Sequence, residues 1–297
     1  MPRLVECVPN VSEGRRGDAI DRMADAIRSI EGVRLLDRTS DVDHNRSVFS
    51  YAGEPEAVLA ATHALVDAAY REIDMRTHKG EHPRLGAVDV VPFIPLAGMT
   101  MDYCVELAHR FGREVAERHR VPVFYYAKAA TRPDRVRLPD IRKPEYEGLA
   151  GLLESSHVPD AGPRTLHPAA GAMVVGARPF LIAFNIELAS TDLKLAQRIA
   201  KEIRESSGGL AAIQAKGFML SDPPRAQVSM NLLDFATTSL PTVWAEVERR
   251  AGAAGVKILR GELIGLIPLD AVLQVAAHAL RLEGVSRDRV IEAHFLE

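Results

Sequence analysis

The chain has 297 residues, with 37 Lys+Arg against 40 Asp+Glu and a formal net charge of -3. At 47% hydrophobic and 26% charged residues it has a globular composition, long enough for one large domain or two smaller ones. That balance excludes the basic face of a general nucleic-acid binder, and no apolar run reaches the ~18 residues of a membrane helix. Two cysteines, Cys7 and Cys104, cannot by themselves build a disulfide framework or a structural zinc site.

The start, MPRLVECVPN, has no apolar core behind a basic segment, so it is not read as a signal peptide and a cytoplasmic location is expected. Residues 4–9 read as a strand. Residues 16–28 carry Ile20, Met23, Ala24 and Ile27 at helical spacing. Strands are expected at 33–37 and 47–52 around a polar turn, then an Ala-rich helix at 54–73. A charged loop, a strand at 87–95, a helix at 101–119 and a strand at 121–127 complete the first half. Residues 128–171 are rich in Pro, Gly and charge, and read as a long loop of the kind that is either functional or a linker.

The order then restarts. A strand at 180–187 precedes a helix at 191–205, with Asp192 placed for its first turn. Residues 211–220 and 226–235 read as a hairpin around SDPPR, followed by a helix at 240–251, a strand at 256–263 and a helix at 269–282. VECVPNVSE pairs with FLIAFNIEL, and VPFIPLAGMTMDYCVELA with IGLIPLDAVLQVAAHAL, so that Asn10 matches Asn185 and Pro95 matches Pro268. The shared order points to duplication. The expected fold class is α/β (α+β): two ferredoxin-like βαββαβ-type subdomains, 1–177 and 178–297, with sheets covered by helices.

The densest reactive cluster is HKGEHPR, from His78 to Arg84. His78 to His82 spells H-x-x-E-H, which binds zinc only on a helix; Gly80 and Pro83 oppose a helix there, and no metal is expected. The alternatives are a solvated connection, or a loop whose imidazole moves protons while Lys79 and Arg84 bind a carboxylate. The second cluster, DRTSDVDHNR, lacks the glycine and the glutamate of a calcium loop. It reads as a hairpin loop, or as a presentation of Asn45 and Arg46 to a polar ligand. Ser12, after Asn10, is placed to cap the following helix. Tyr125, Tyr126 and Cys104 read as core.

The stretches LVECVPNVSEG, HKGEHPRLGAVDVVPFIP, VPDAGP, GAMVVGARPFLIAFNIEL, QVSMNLLDF and GLIPLDAVL span nearly the whole chain. In that order they resemble the formiminotransferase family. The resemblance implies two α/β subdomains with a folate groove between them, a homodimer, and no tightly bound cofactor. It further implies transfer of the formimino group of N-formimino-L-glutamate to N5 of tetrahydrofolate, a co-substrate, in histidine degradation. His82, in the EHPR segment, is then the catalytic acid/base. The folate-binding segment is Gly162, Pro163, Arg164, Thr165, Leu166, His167, Pro168, Ala169, Ala170 and Gly171. Asn10, His44, Asn45, Arg46, Lys79, Arg84 and Arg178 are the expected substrate-binding residues, with His44 or His78 assisting His82. The chain departs from the bifunctional relatives at Ala169 and Ala170, where they carry an aromatic, and at Thr39, where they carry an acid whose role falls to Asp41 or Asp43. A formyltransferase acting between 5-formyltetrahydrofolate and glutamate, or a folate-binding sensor without catalysis, are the alternative readings.

Overall fold

The computed structural model describes residues 3–295, in two compact units that meet in sequence at Arg178 and Pro179. In the first, β1 (Leu4–Cys7) and β2 (Asn10–Val11) lead into α1 (Gly17–Arg28), β3 (Val33–Asp41), β4 (Arg46–Gly53) and α2 (Pro55–Glu72). Then come β5 (Val88–Ala97), α3 (Met101–His119), β6 (Val123–Ala127) and β7 (Met173–Ala177). The sheet runs β3, β4, β1/β2, β5, β7, β6; its pairs are antiparallel as far as β5, and β7 lies parallel to both β5 and β6.

Alternation along the strands sorts residues to two faces. Val5, Cys7, Phe49, Tyr51, Val91 and Phe93 pack with Ile20, Met23, Leu65 and Phe111 of the helices. Glu6 and Ser50 fall on the opposite side of the sheet yet are also buried. The expected single strand at 4–9 is broken after Cys7. Pro92 has no N–H to donate, and the interruption sits opposite it, where Val8 N donates to the Pro92 carbonyl at 3.3 Å.

One strand has no counterpart among the expected elements, and one further expectation is corrected. The run Met173–Ala177 is a strand inserted between β5 and β6; it is buried along its whole length, so it shows no alternation to read. Residues 128–171 are not one open loop. They hold α4 (Leu138–Arg142), α5 (Glu145–Leu149) and two 3-10 turns. Ile141, Leu149 and Leu153 join Val90, Phe124, Tyr126 and Val174 in a core of their own, on the face away from α1–α3. Arg135, 2% exposed, lies over the Phe124 ring at 5.0 Å.

The second unit is β8 (Ile182–Leu188), α6 (Leu193–Ile203), β9 (Ile213–Ser221), β10 (Pro224–Leu232), α7 (Leu240–Ala253), β11 (Ile258–Ile264) and α8 (Leu269–Leu280). Its antiparallel sheet, in the order β11, β8, β10, β9, repeats the β5, β1/β2, β4, β3 order of the first. Asp192 caps α6 by accepting from Leu195 N at 3.1 Å. The expected α/β class, with two helix-covered sheets, is therefore what the chain forms. Among the described residues no helix is long and apolar enough to cross a membrane.

Candidate active site

Four segments meet at one end of the first sheet: β2 with Ser12, the β3–β4 turn, the loop between α2 and β5, and the start of β5. They enclose a small void of about 10 Å³, lined by Asn10, His44, Asn45, Arg46, His78, His82, Arg84 and Asp89 among others. That is room for one water-sized atom.

The loop carrying His78 and His82 is not helical, so the H-x-x-E-H spacing does not bring two imidazoles to one helix face. It is held by its own contacts. Asn45, at φ 48°, accepts from Gly14 N at 2.9 Å and donates to the Lys79 carbonyl at 2.9 Å. His78 is buried; its Nε2 donates to the Asn45 carbonyl at 3.1 Å, while Nδ1 accepts from Arg84 Nε at 3.2 Å. Burial and the adjacent Arg84 charge lower its pKa, in keeping with a neutral ring of one tautomer. Arg84 in turn reaches Glu147 at 2.6 Å and Glu145 at 3.2 Å. His78 and Arg84 are thus committed to holding the loop.

His82 differs. Its Nδ1 is buried and has no hydrogen-bond partner. Burial, then the positive charges of Arg46 and Arg142, push its pKa down to about 3, so the ring is neutral and able to accept a proton. His44 meets it edge-on, with ring centroids 5.9 Å apart. Asp41 accepts from His44 N at 2.7 Å, and from its Nδ1 at 2.9 Å. Of the two expected assistants, His44 is therefore the one that touches His82. Arg46 bonds Asn10 Oδ1, and burial followed by the Arg142 charge brings it down to about 10. Arg142 pairs with Asp89, whose other oxygen accepts from Leu85 N at 2.8 Å.

Other expected residues lie elsewhere. Lys79 is exposed and does not line the void. Arg178 lies beside Glu6 and hydrogen-bonds Tyr126. Ser12 does not cap α1; its hydroxyl donates to the Gly86 carbonyl at 2.8 Å, and the Glu13 carboxylate accepts from Arg15 N and Arg16 N, both at 2.9 Å. The 162–171 segment divides in two. Gly162 and Pro163 line a separate open pocket of about 460 Å³ with Arg113, Glu117 and Arg120. Its second half braces the histidine loop: the Ala169 carbonyl accepts from Met75 N and the Ala170 carbonyl from Ala87 N, both at 2.9 Å. Sequence reasoning missed Arg142 and Asp89. Arg142 sits in a charged, Pro-rich run with no local pattern, and only the fold brings it to the site.

Models of the formiminotransferase domain match the chain over residues 4–178 for the N-terminal subdomain and 183–293 for the remainder. The chain belongs to the formiminotransferase family. Glutamate formimidoyltransferase of Streptococcus pyogenes serotype M1 is 41% identical over 100% of both chains. That of Thermoplasma acidophilum is also 41% identical, over 97% of this chain and 96% of its own. The formimidoyltransferase-cyclodeaminase of Rattus norvegicus is 46% identical, but this chain covers only 52% of it. The family places the protein among the transferase enzymes.

Proposed function

We propose that the protein transfers the formimino group of N-formimino-L-glutamate to N5 of tetrahydrofolate, releasing L-glutamate. The observation that carries this reading is His82: a half-buried, neutral imidazole with a bare, buried Nδ1 in the cationic site, within a chain similar over its whole length to glutamate formimidoyltransferases.

N5 attacks the amidine carbon and forms a tetrahedral centre bearing three nitrogens. His82 takes the proton from N5 and returns it to the glutamate nitrogen as the C–N bond to glutamate breaks, so each turnover leaves the ring neutral. Such a shuttle contributes ~10²–10⁴-fold, and holding both substrates in one site adds the gain of an internal over a bimolecular step. Amidine activation needs only a proton, so the reading invokes no metal and no tightly bound cofactor. Tetrahydrofolate is a co-substrate bound with the help of the 162–171 segment, and the working unit is a homodimer of chains with subdomains 1–177 and 178–297.

The test follows folate absorbance and glutamate release together. Wild-type protein is expected to give both in equal amounts. His82→Ala is expected to lose turnover by ~10²–10⁴-fold while keeping its fold and its folate affinity. An active His82→Ala protein removes His82 from the chemistry. Turnover of formylglutamate but not of formiminoglutamate replaces the proposed donor, and folate binding without either reaction turns the reading to a sensor.

A further inference from the structure

Of the guanidinium groups around His82, that of Arg84 is met by Glu145 and Glu147, which leaves those of Arg46 and Arg142. Arg46 comes from β4 and Arg142 from α4, and each bears on the other and on His82. Among the described residues Asp89 is the only carboxylate paired with either, and it is shared with Leu85 N. Among the described residues the Arg46 side chain hydrogen-bonds only the neutral Asn10 amide. Asp41 acts on Arg46 only through space and is itself taken up by His44. The Nε atoms of both arginines are buried with no hydrogen-bond partner. Burying a guanidinium with an unmade bond is costly; Arg46 lines the void, Arg142 stands behind its partner Asp89, which also lines it, and the charges of both reach His82, an arrangement suited to receiving an anion. A void that holds one water-sized atom admits one oxygen of a carboxylate.

We propose that Arg46 and Arg142 together receive one carboxylate of the amidine donor beside His82, with Arg142 setting the preference for an acidic donor. This rests on the proposed transfer reaction and names how its donor is held. It also explains how a ring so hard to protonate serves as a proton shuttle. Burial, then the charges of Arg46, Arg142 and His44, hold His82 at about 3, far below the range of an effective base near neutral pH. A carboxylate seated on the two guanidiniums cancels their charge and moves the ring upward as the donor arrives.

The decisive variant is Arg142→Lys, which keeps a cation beside Asp89 but removes the forked donors. Its KM for formiminoglutamate is expected to rise about 10- to 100-fold, with KM for tetrahydrofolate unchanged. The same assays are run with two amide donors, formiminoglutamine and formiminoisoglutamine, each lacking one carboxylate charge. In wild-type protein one of them is expected to show a similar rise in KM, and in Arg142→Lys that same amide is expected to add little further. Arg142→Met with Asp89→Asn repeats the comparison without leaving a lone buried charge. Equal amide penalties in wild type and both variants overturn the proposal, as does an unchanged donor KM. A rise confined to the KM for tetrahydrofolate also overturns it, and assigns the pair to the folate tail. Absence of transfer by wild-type protein is a separate result that removes the transfer reaction itself.

Discussion

A Cβ added at Gly80 would stand 2.3 Å from the His44 carbonyl oxygen and 2.9 Å from the Asn45 side chain. The histidine loop therefore rests directly on the β3–β4 turn, and the first obstacle is backbone that cannot rotate away. Gly80→Ala is expected to lower stability by roughly 1–3 kcal/mol and to separate His44 from His82. Denaturant titration and turnover measured together check it; a variant with native stability and native activity contradicts the close approach. Residue-scale contacts also divide the histidines by role. His78 spends both ring nitrogens on Asn45 and Arg84, whereas His82 keeps one bare.

Among elements, α4 matters more than its five residues suggest. It docks on the sheet face away from α1–α3 through Ile141, and its last residue, Arg142, is tied to Asp89 at the start of β5. Asp89 is 2% exposed, so its carboxylate depends on that partner. Asp89→Ala leaves a buried guanidinium without its counter-charge and the Leu85 amide without its acceptor. It is expected to cost about 3–5 kcal/mol, read as a shift in the urea midpoint. A change below 1 kcal/mol would mean that water replaces the carboxylate and that α4 is not anchored there.

For the whole molecule, the half-buried His82 and the buried Glu6 oppose each other along the pH axis. His82 falls from the usual 6.5 to about 3, so the unfolded chain binds the extra proton in that window. Its contribution to stability is complete above 6.5 and is lost as pH falls toward 3. Glu6, pushed by burial from 4.5 to about 7, keeps its proton longer in the folded chain. Its contribution is complete below 4.5 and disappears as pH rises through about 7. Glu6→Gln removes only the second effect. Measured against wild type by urea denaturation, it is expected to gain stability between pH 5 and pH 8. The same difference at both values would show that Glu6 ionises freely in the native protein.

Period and punctuation alone determined most elements of both units. The helix expected at 101–119 is α3, residue for residue, because Thr100 caps it and Arg120 turns left-handed after it. The internal repeat carried the shared strand order, and the EHPR stretch carried the family. What the tertiary structure decided were contacts between residues far apart in the chain. β7 and the cover formed by residues 133–153 have no period to read, since one is buried on both faces and the other is built of single turns. The separation of His82 from His78 arises across 33 residues, where Asn45 takes the His78 ring. The place of Arg142 arises across 53, where Asp89 draws its guanidinium beneath the site. Local sequence sets a residue's backbone and its side of an element; which buried charges face one another depends on how separate elements pack, and that is settled only when the chain closes.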